Sequence, residues 1–167
     1  MSKGLAPVSA DDQTFIRNFV FGAEDSLVST VGLLSGVAIA GVPRTTLILT
    51  GIVLIFVEAF SMGMGSFLSE AITRDENSGQ RRISIDAALI MLGSYIIAGL
   101  IPLFPYFFLS GKSGVVLSIG CSLVALAVLG VISSRLSRTN IRRNTIRMVL
   151  LGGSAIAVGI IVSFFVK

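Results

Sequence analysis

The stretch TTLILTGIVLIFVEAFSMGMGSFLS, residues 45–69, is 25 residues long and carries one charge, that of Glu58. An α-helix rises about 1.5 Å per residue, so this stretch can cross a hydrocarbon core of about 30 Å. A carboxylate in the middle of a membrane helix costs roughly 2.5–3.5 kcal/mol on insertion scales, and such residues are usually functional. Met62 follows four residues later, on the same helix face. A carboxylate beside a thioether is a suitable pair of ligands for a divalent transition metal.

The composition of the whole chain is that of a helical membrane protein. Of its 167 residues, 53% are hydrophobic and 13% are charged, and the mean hydropathy is +0.92. These values lie outside the range of soluble globular domains. The sequence contains no His, which excludes imidazole metal ligands and His-based catalysis. No nucleophile–base pair is recognisable in the apolar runs, so an enzyme is not predicted. The net charge of +4 follows membrane topology and does not indicate nucleic-acid binding.

Five apolar segments predict an all-α integral membrane protein with a single transmembrane domain over residues 1–167. The first segment begins after Ser9 and Asp12, whose spacing is that of a capping box, and it contains Glu24 and Asp25. The N-terminus and the second and fourth loops hold ten Lys and Arg, against three on the other side. The positive-inside rule therefore predicts a cytoplasmic N-terminus and a C-terminus outside or in a lumen. The basic fourth loop is expected to contact anionic lipid head groups. The predicted spans are about 14–40, 45–69, 87–111, 113–134 and 147–166.

Small and polar residues form a stripe on each of the first two predicted helices. Spacings of three, four and seven residues place each stripe on one helix face. Close packing of the Gly-x-x-x-Gly kind explains the glycines by themselves. A packing face does not require a carboxylate, however, so Asp25 and Glu58 favour a function for the two stripes beyond packing. The first stripe is Gly22, Asp25, Ser29, Gly32 and Gly36, and the second is Gly51, Glu58, Met62, Gly65 and Ser69.

The acidic residues also have purely structural interpretations. Glu24 and Asp25 could lie at the water interface, with the first span beginning after them; Asp25 would then stand at the mouth of a path. Glu24 is rotated by about 100° from Asp25 around the helix axis. Glu58 could be a neutral carboxyl group that hydrogen-bonds a neighbouring helix. Glu70, which ends its span, is either an interfacial anchor or a ligand at the cytoplasmic mouth.

Three segments together resemble the vacuolar iron transporter family. They are FGAEDSLVSTVGLLSG at 21–36, EAFSMGMGSFLS at 58–69 and GLIPLFPY at 99–106, and the resemblance extends in order over essentially the whole chain. It implies a homodimer of five-helix protomers, with a metal path along the first two helices at the twofold axis. It also implies export of ferrous iron or manganese from the cytoplasm in exchange for protons. Asp25 and Met62 match two metal-binding positions of the family, and no cofactor beyond the transported ion is implied.

The chain departs from the family pattern at two positions of the second helix. Leu54 and Ser66 stand where family members often carry glutamate, and Glu58 and Glu70 each lie one turn further along the same face. The loop between the second and third spans is too short for the large metal-binding segment of plant members. Delivery of iron would then use Glu70 and its neighbours Asp75 and Glu76, or a separate protein. The predicted metal-ligand set is Asp25, Glu58, Met62 and Glu70, with Glu24 and Ser66 as further candidates.

The function predicted from these observations is exchange of a divalent metal for protons, because both compete for the same carboxylates. The short second loop favours a prokaryotic inner membrane over a vacuolar one. The alternative is a non-transporting membrane scaffold, or a docking subunit for an iron-storage partner.

Overall fold

The structure is a computed structural model that describes residues 9–73, 78–137 and 139–166; Asp75 and Glu76 lie outside these ranges. The described residues form five α-helices and one short 3-10 helix, without a β-strand, which confirms the all-α prediction. The α-helices are α1 (Ala10–Ile39), α2 (Arg44–Thr73), α3 (Ser78–Leu103), α4 (Gly111–Leu136) and α5 (Ile141–Val166), and the 3-10 helix is Phe104–Phe107.

Ser9 caps the N-terminus of α1 and Asp12 is its partner, as their spacing in the sequence predicted. The Ser9 hydroxyl oxygen accepts a 3.1 Å hydrogen bond from the Asp12 backbone N–H. The same hydroxyl donates a 2.7 Å bond to the Asp12 carboxylate. The first bond satisfies a backbone N–H that has no partner within the helix. At the other end the chain turns towards α2 through Gly41, whose φ of 84° lies in the left-handed region that favours glycine.

Helix α1 lies at the centre of the bundle. It contacts all four other helices, which surround it in chain order, with α2 against α3, α3 against α4 and α4 against α5. Within the described residues, α2 and α5 do not contact each other. The ring around α1 is therefore open on the side between α2 and α5.

Four of the five helices are long and apolar enough to cross a membrane. Helix α1 falls short because Glu24, Asp25 and several hydroxyl residues lower its hydropathy. Ser26, Thr30 and Ser35 of α1 are all buried. A helix that is surrounded by other helices on most sides contacts less lipid, so it needs no continuous apolar surface, and small polar residues are typical of such membrane interfaces. The four apolar spans are Arg44–Ile72, Arg82–Phe107, Gly111–Leu136 and Ile141–Phe165.

Helices α1 and α5 are packed through glycines. A Cβ atom added to Gly36 would lie 2.5 Å from the backbone oxygen of Gly159, and one added to Gly159 would lie 2.0 Å from the backbone oxygen of Gly32. The two backbones therefore touch, which only glycine permits. The packing interpretation of Gly32-x-x-x-Gly36 is confirmed, with α5 as the partner.

Helix α3 ends at Leu103, well before the Gly111 at which its charge-free run ends. Pro102 and Pro105 lack the backbone N–H that an α-helix needs to continue, so the chain passes into the 3-10 helix instead. The Ser118 hydroxyl of α4 donates a 2.6 Å hydrogen bond to the Pro102 carbonyl oxygen. The two prolines thus terminate α3 and bring its end against α4.

Candidate metal path

Helices α1 and α2 run antiparallel and bring polar residues together at one end. The Arg17 guanidinium forms an ion pair with the Glu70 carboxylate, although 53 residues separate them in the chain. Beside this pair, the Ser66 hydroxyl donates a 2.6 Å hydrogen bond to Asn18 Oδ1. Glu70 and Ser66 are both buried. Two residues of the predicted ligand set therefore lie against α1, and both already have polar partners.

A cavity of about 660 Å³ opens between α1 and α2 at the same end. It contains three of the predicted ligand residues and also a second thioether, that of the buried Met91 from α3. Met91 belongs to none of the sequence motifs, and only helix packing places it near Met62. The residues that line the cavity are Arg17, Asn18, Phe21, Ser61, Met62, Gly65, Ser66, Ser69, Glu70 and Met91.

Further along the two helices, Asp25 and Glu58 form a pair of acids. Both side chains are half-buried, and their carboxyl groups lie close enough to interact electrostatically. Glu58 is one turn from Met62, which is also half-buried. Glu58 and Glu70 are twelve residues apart, which is about 18 Å along the helix axis. The predicted ligands Glu58, Met62, Ser66 and Glu70 are thus spaced at every turn of α2, from the acid pair to the cavity.

Tyr95 of α3 is a neighbour of the acid pair that the sequence motifs did not reveal. Its side chain is completely buried. The phenol oxygen lies 2.9 Å from the Ser29 hydroxyl oxygen, and Ser29 is one helical turn from Asp25. The phenol is also within electrostatic range of both Asp25 and Glu58. Tyr95 therefore places a hydroxyl group beside the two carboxyl groups.

Glu24 lies apart from the other predicted ligands. It lines a different cavity, of about 730 Å³, together with Ser133 and Ser137 near the end of α4. Its electrostatic partners are its neighbour Asp25 and the positively charged Arg147 of α5. The rotation of about 100° between adjacent helical residues directs Glu24 away from α2. The structure thus gives these two adjacent acids different surroundings.

The donor set between α1 and α2 combines oxygen and sulfur. Within the described ranges, no three acidic or Cys side chains are grouped closely enough to hold a metal ion by themselves. Helices α1 and α2 bring together two carboxyl groups, and Met62 and hydroxyl groups lie nearby. Such a set suits a transition metal that is bound weakly enough to be released.

A sequence model of the VIT family matches residues 16–84 and 76–163, which together span most of the chain. The chain belongs to the VIT family. Among relatives, vacuolar iron transporter homolog 5 of Oryza sativa subsp. japonica is 26% identical over 159 residues, covering 86% of this chain and 76% of the relative. Vacuolar iron transporter 1 of Tulipa gesneriana is 22% identical over 205 residues, covering 85% and 83%. Vacuolar iron transporter 1 of Oryza sativa subsp. japonica is 35% identical over a shorter match of 75 residues.

The two departures of this VIT-family chain have distinct surroundings. Leu54 lies half-buried on the flank of α2 that also holds Glu58. Ser66 is buried against α1 and bonded to Asn18. The acid lies one turn further along α2, at Glu70, where it forms the ion pair with Arg17. The displaced acids therefore remain on the side of α2 that faces α1.

Proposed function

We propose that this VIT-family chain carries ferrous iron or manganese out of the cytoplasm in exchange for protons. The observation that supports it best is the Asp25–Glu58 pair, in which two half-buried acids from adjacent helices interact within an apolar bundle. Buried carboxylates in membrane helices are costly and mark ion pathways. The relatives are named iron transporters, which supports iron as a substrate.

The chemistry of the donors supports transition metals over magnesium and calcium. Magnesium and calcium take oxygen ligands almost exclusively. A thioether contributes more to the binding of softer metals, so Met62 would favour ferrous iron over either of them. Together with Glu58 one turn away, Met62 would bind the metal along one face of α2, and Asp25 would complete the site from α1.

Exchange for protons follows from the same carboxyl groups. A carboxyl group must lose its proton before it can bind a metal, so metal and protons compete for Asp25 and Glu58. The sequence contains no His, so acids are the groups available to carry protons near neutral pH. Metal arriving from the cytoplasm would release protons from the pair, and protons from the acidic side would in turn release the metal.

A second copy of the chain is part of the proposal. The ring of helices is open beside α1, between α2 and α5. A twofold partner covering this side would make α1 an enclosed fifth span and would double the carboxyl and thioether groups. The distribution of Lys and Arg predicts a cytoplasmic N-terminus. The membrane itself stays a prediction: the short second loop favours a prokaryotic inner membrane, whereas the relatives' names refer to a vacuole.

Uptake of ferrous iron into proteoliposomes with an acidic interior tests the proposal. Asp25→Asn and Glu58→Gln each remove a charged ligand, so we expect uptake to fall about tenfold or more. Glu24→Gln is the matched control, because Glu24 is adjacent in sequence but lines the cavity near α4. If Asp25→Asn and Glu58→Gln both transport like the wild type, the proposed path is wrong. A folded wild type with neither uptake nor calorimetric binding of divalents would support the alternative of a scaffold or a docking subunit for an iron-storage protein.

A further inference from the structure

We propose that Arg17 is a positioning residue that makes access to Glu70 selective for divalent over monovalent cations. The inference rests on the proposed transport function and concerns the cavity at one end of the path. The two partners of the ion pair differ in solvent exposure. The Glu70 side chain is 7% exposed, whereas that of Arg17 is 68% exposed. The acid is held within the protein, and its positive partner reaches it from the water.

The residues around this ion pair are fixed by bonds of their own. Asn18 donates a 2.9 Å hydrogen bond to the Thr14 backbone oxygen and accepts one from Ser66. Asn18 therefore connects α1 to α2 independently of the ion pair. The Arg17 side chain can leave Glu70 and extend into water while the helices and the carboxylate stay in place. An exchange of cations at the Glu70 carboxylate thus requires the Arg17 side chain to move.

The charge of the incoming cation decides whether that exchange is favourable. A buried carboxylate that loses its partner is strongly destabilised, so a cation that displaces Arg17 must replace its interaction. Sodium and potassium carry the same single charge as the guanidinium and cannot supply its hydrogen bonds. A divalent ion at a comparable distance has twice the Coulomb energy. Arg17 therefore competes successfully with monovalent ions and yields to divalent metals.

The location of the pair gives this competition a role in transport. Glu70 and Arg17 line the same cavity as Met62, and Met62 is one turn from Glu58. A metal that displaces Arg17 enters a cavity whose lining reaches Met62, one helical turn from the acid pair. Potassium, which is abundant in cytoplasm, would be kept from Glu70 by the protein's own cation.

The test compares ferrous iron uptake by the full-length wild type and Arg17→Gln in proteoliposomes. Uptake is measured in potassium chloride and in N-methylglucamine chloride of equal ionic strength. Without potassium, we expect the variant to have a KM about tenfold lower, since its competitor is gone, and an unchanged kcat. Potassium should raise the KM of the variant but not that of the wild type. Arg17→Lys, which retains the charge, should restore resistance to potassium. Arg44→Gln is the control, because Arg44 bonds the Phe107 carbonyl away from this cavity.

Glu70→Gln keeps the inference testable if Arg17→Gln folds poorly. Without the Glu70 carboxylate, Arg17 no longer competes with cations at this position. Adding Arg17→Gln to Glu70→Gln should therefore leave KM unchanged. Additive effects of the two substitutions would overturn the inference, as would a potassium-resistant Arg17→Gln with the wild-type KM. Those results, with uptake still dependent on Asp25, would leave the proposed function intact. A wild type that transports no divalent metal would overturn both.

Discussion

Adding a single methyl group at Gly159 should separate the two helices that meet backbone to backbone. Its Cβ would lie 2.0 Å from the Gly32 oxygen, 2.8 Å from the Gly32 carbonyl carbon and 3.3 Å from the Gly32 Cα. All three atoms belong to the backbone, so no side chain can rotate away. Because Cβ contacts below 3.0 Å are essentially never observed, α5 must move by roughly 1 Å. Such overpacking typically costs about 1–3 kcal/mol, and we expect Gly159→Ala to lower the free energy of unfolding by that amount.

Denaturant titration of the purified protein in detergent micelles, followed by circular dichroism, measures this loss. Gly153→Ala is the matched control, since it lies on the same helix and a Cβ there meets nothing within 4 Å. This control should keep the wild-type stability or gain up to about 1 kcal/mol from helix propensity. The folded fraction of Gly159→Ala should retain its KM for iron, because the Asp25–Glu58 pair lies between α1 and α2. Equal stability of both variants would refute the direct α1–α5 contact.

The remaining predictions concern the neighbours of the acid pair. Tyr95→Phe removes the bond to Ser29, so it should lose about 1 kcal/mol of stability and also show a raised KM for iron in the uptake assay. Tyr106→Phe, which alters another buried tyrosine, should affect stability alone; equal KM values for the two variants would contradict the placement of Tyr95 beside the acids. Met62→Leu conserves volume at a cost below about 1.5 kcal/mol but removes the sulfur. We expect magnesium to compete better with iron in this variant, and unchanged competition would exclude the thioether as a ligand.

The apolar helices were predictable because hydropathy is a local property of the sequence. Residues 45–69 and 113–134 contain enough consecutive apolar residues to identify α2 and α4 without knowledge of their neighbours. Helix α1 was less clear because its surroundings are mainly protein, and a helix in that position tolerates Glu24, Asp25 and many hydroxyl groups. The end of α3 was missed because the charge-free run continues beyond Pro102, where the backbone can no longer form α-helical hydrogen bonds.

The candidate site was predicted in its components but not in its contacts. Helical spacing correctly placed Glu58 and Met62 on one face and separated Glu24 from Asp25. Spacing could not show that the small-residue stripe of α1 is divided, with Gly32 and Gly36 against α5 and Asp25 against α2. The ion pair between Arg17 and Glu70 and the approach of Tyr95 depend on tertiary packing between distant segments. No pattern within a single helix contains that information.

Anomalous X-ray scattering from crystals grown with manganese tests the central claim most directly. A manganese peak in contact with the Asp25 and Glu58 carboxyl oxygens, and lost in the Asp25→Asn variant, is the result that we expect. A transport-competent protein whose manganese peaks all lie away from both carboxyl groups would contradict the proposed path.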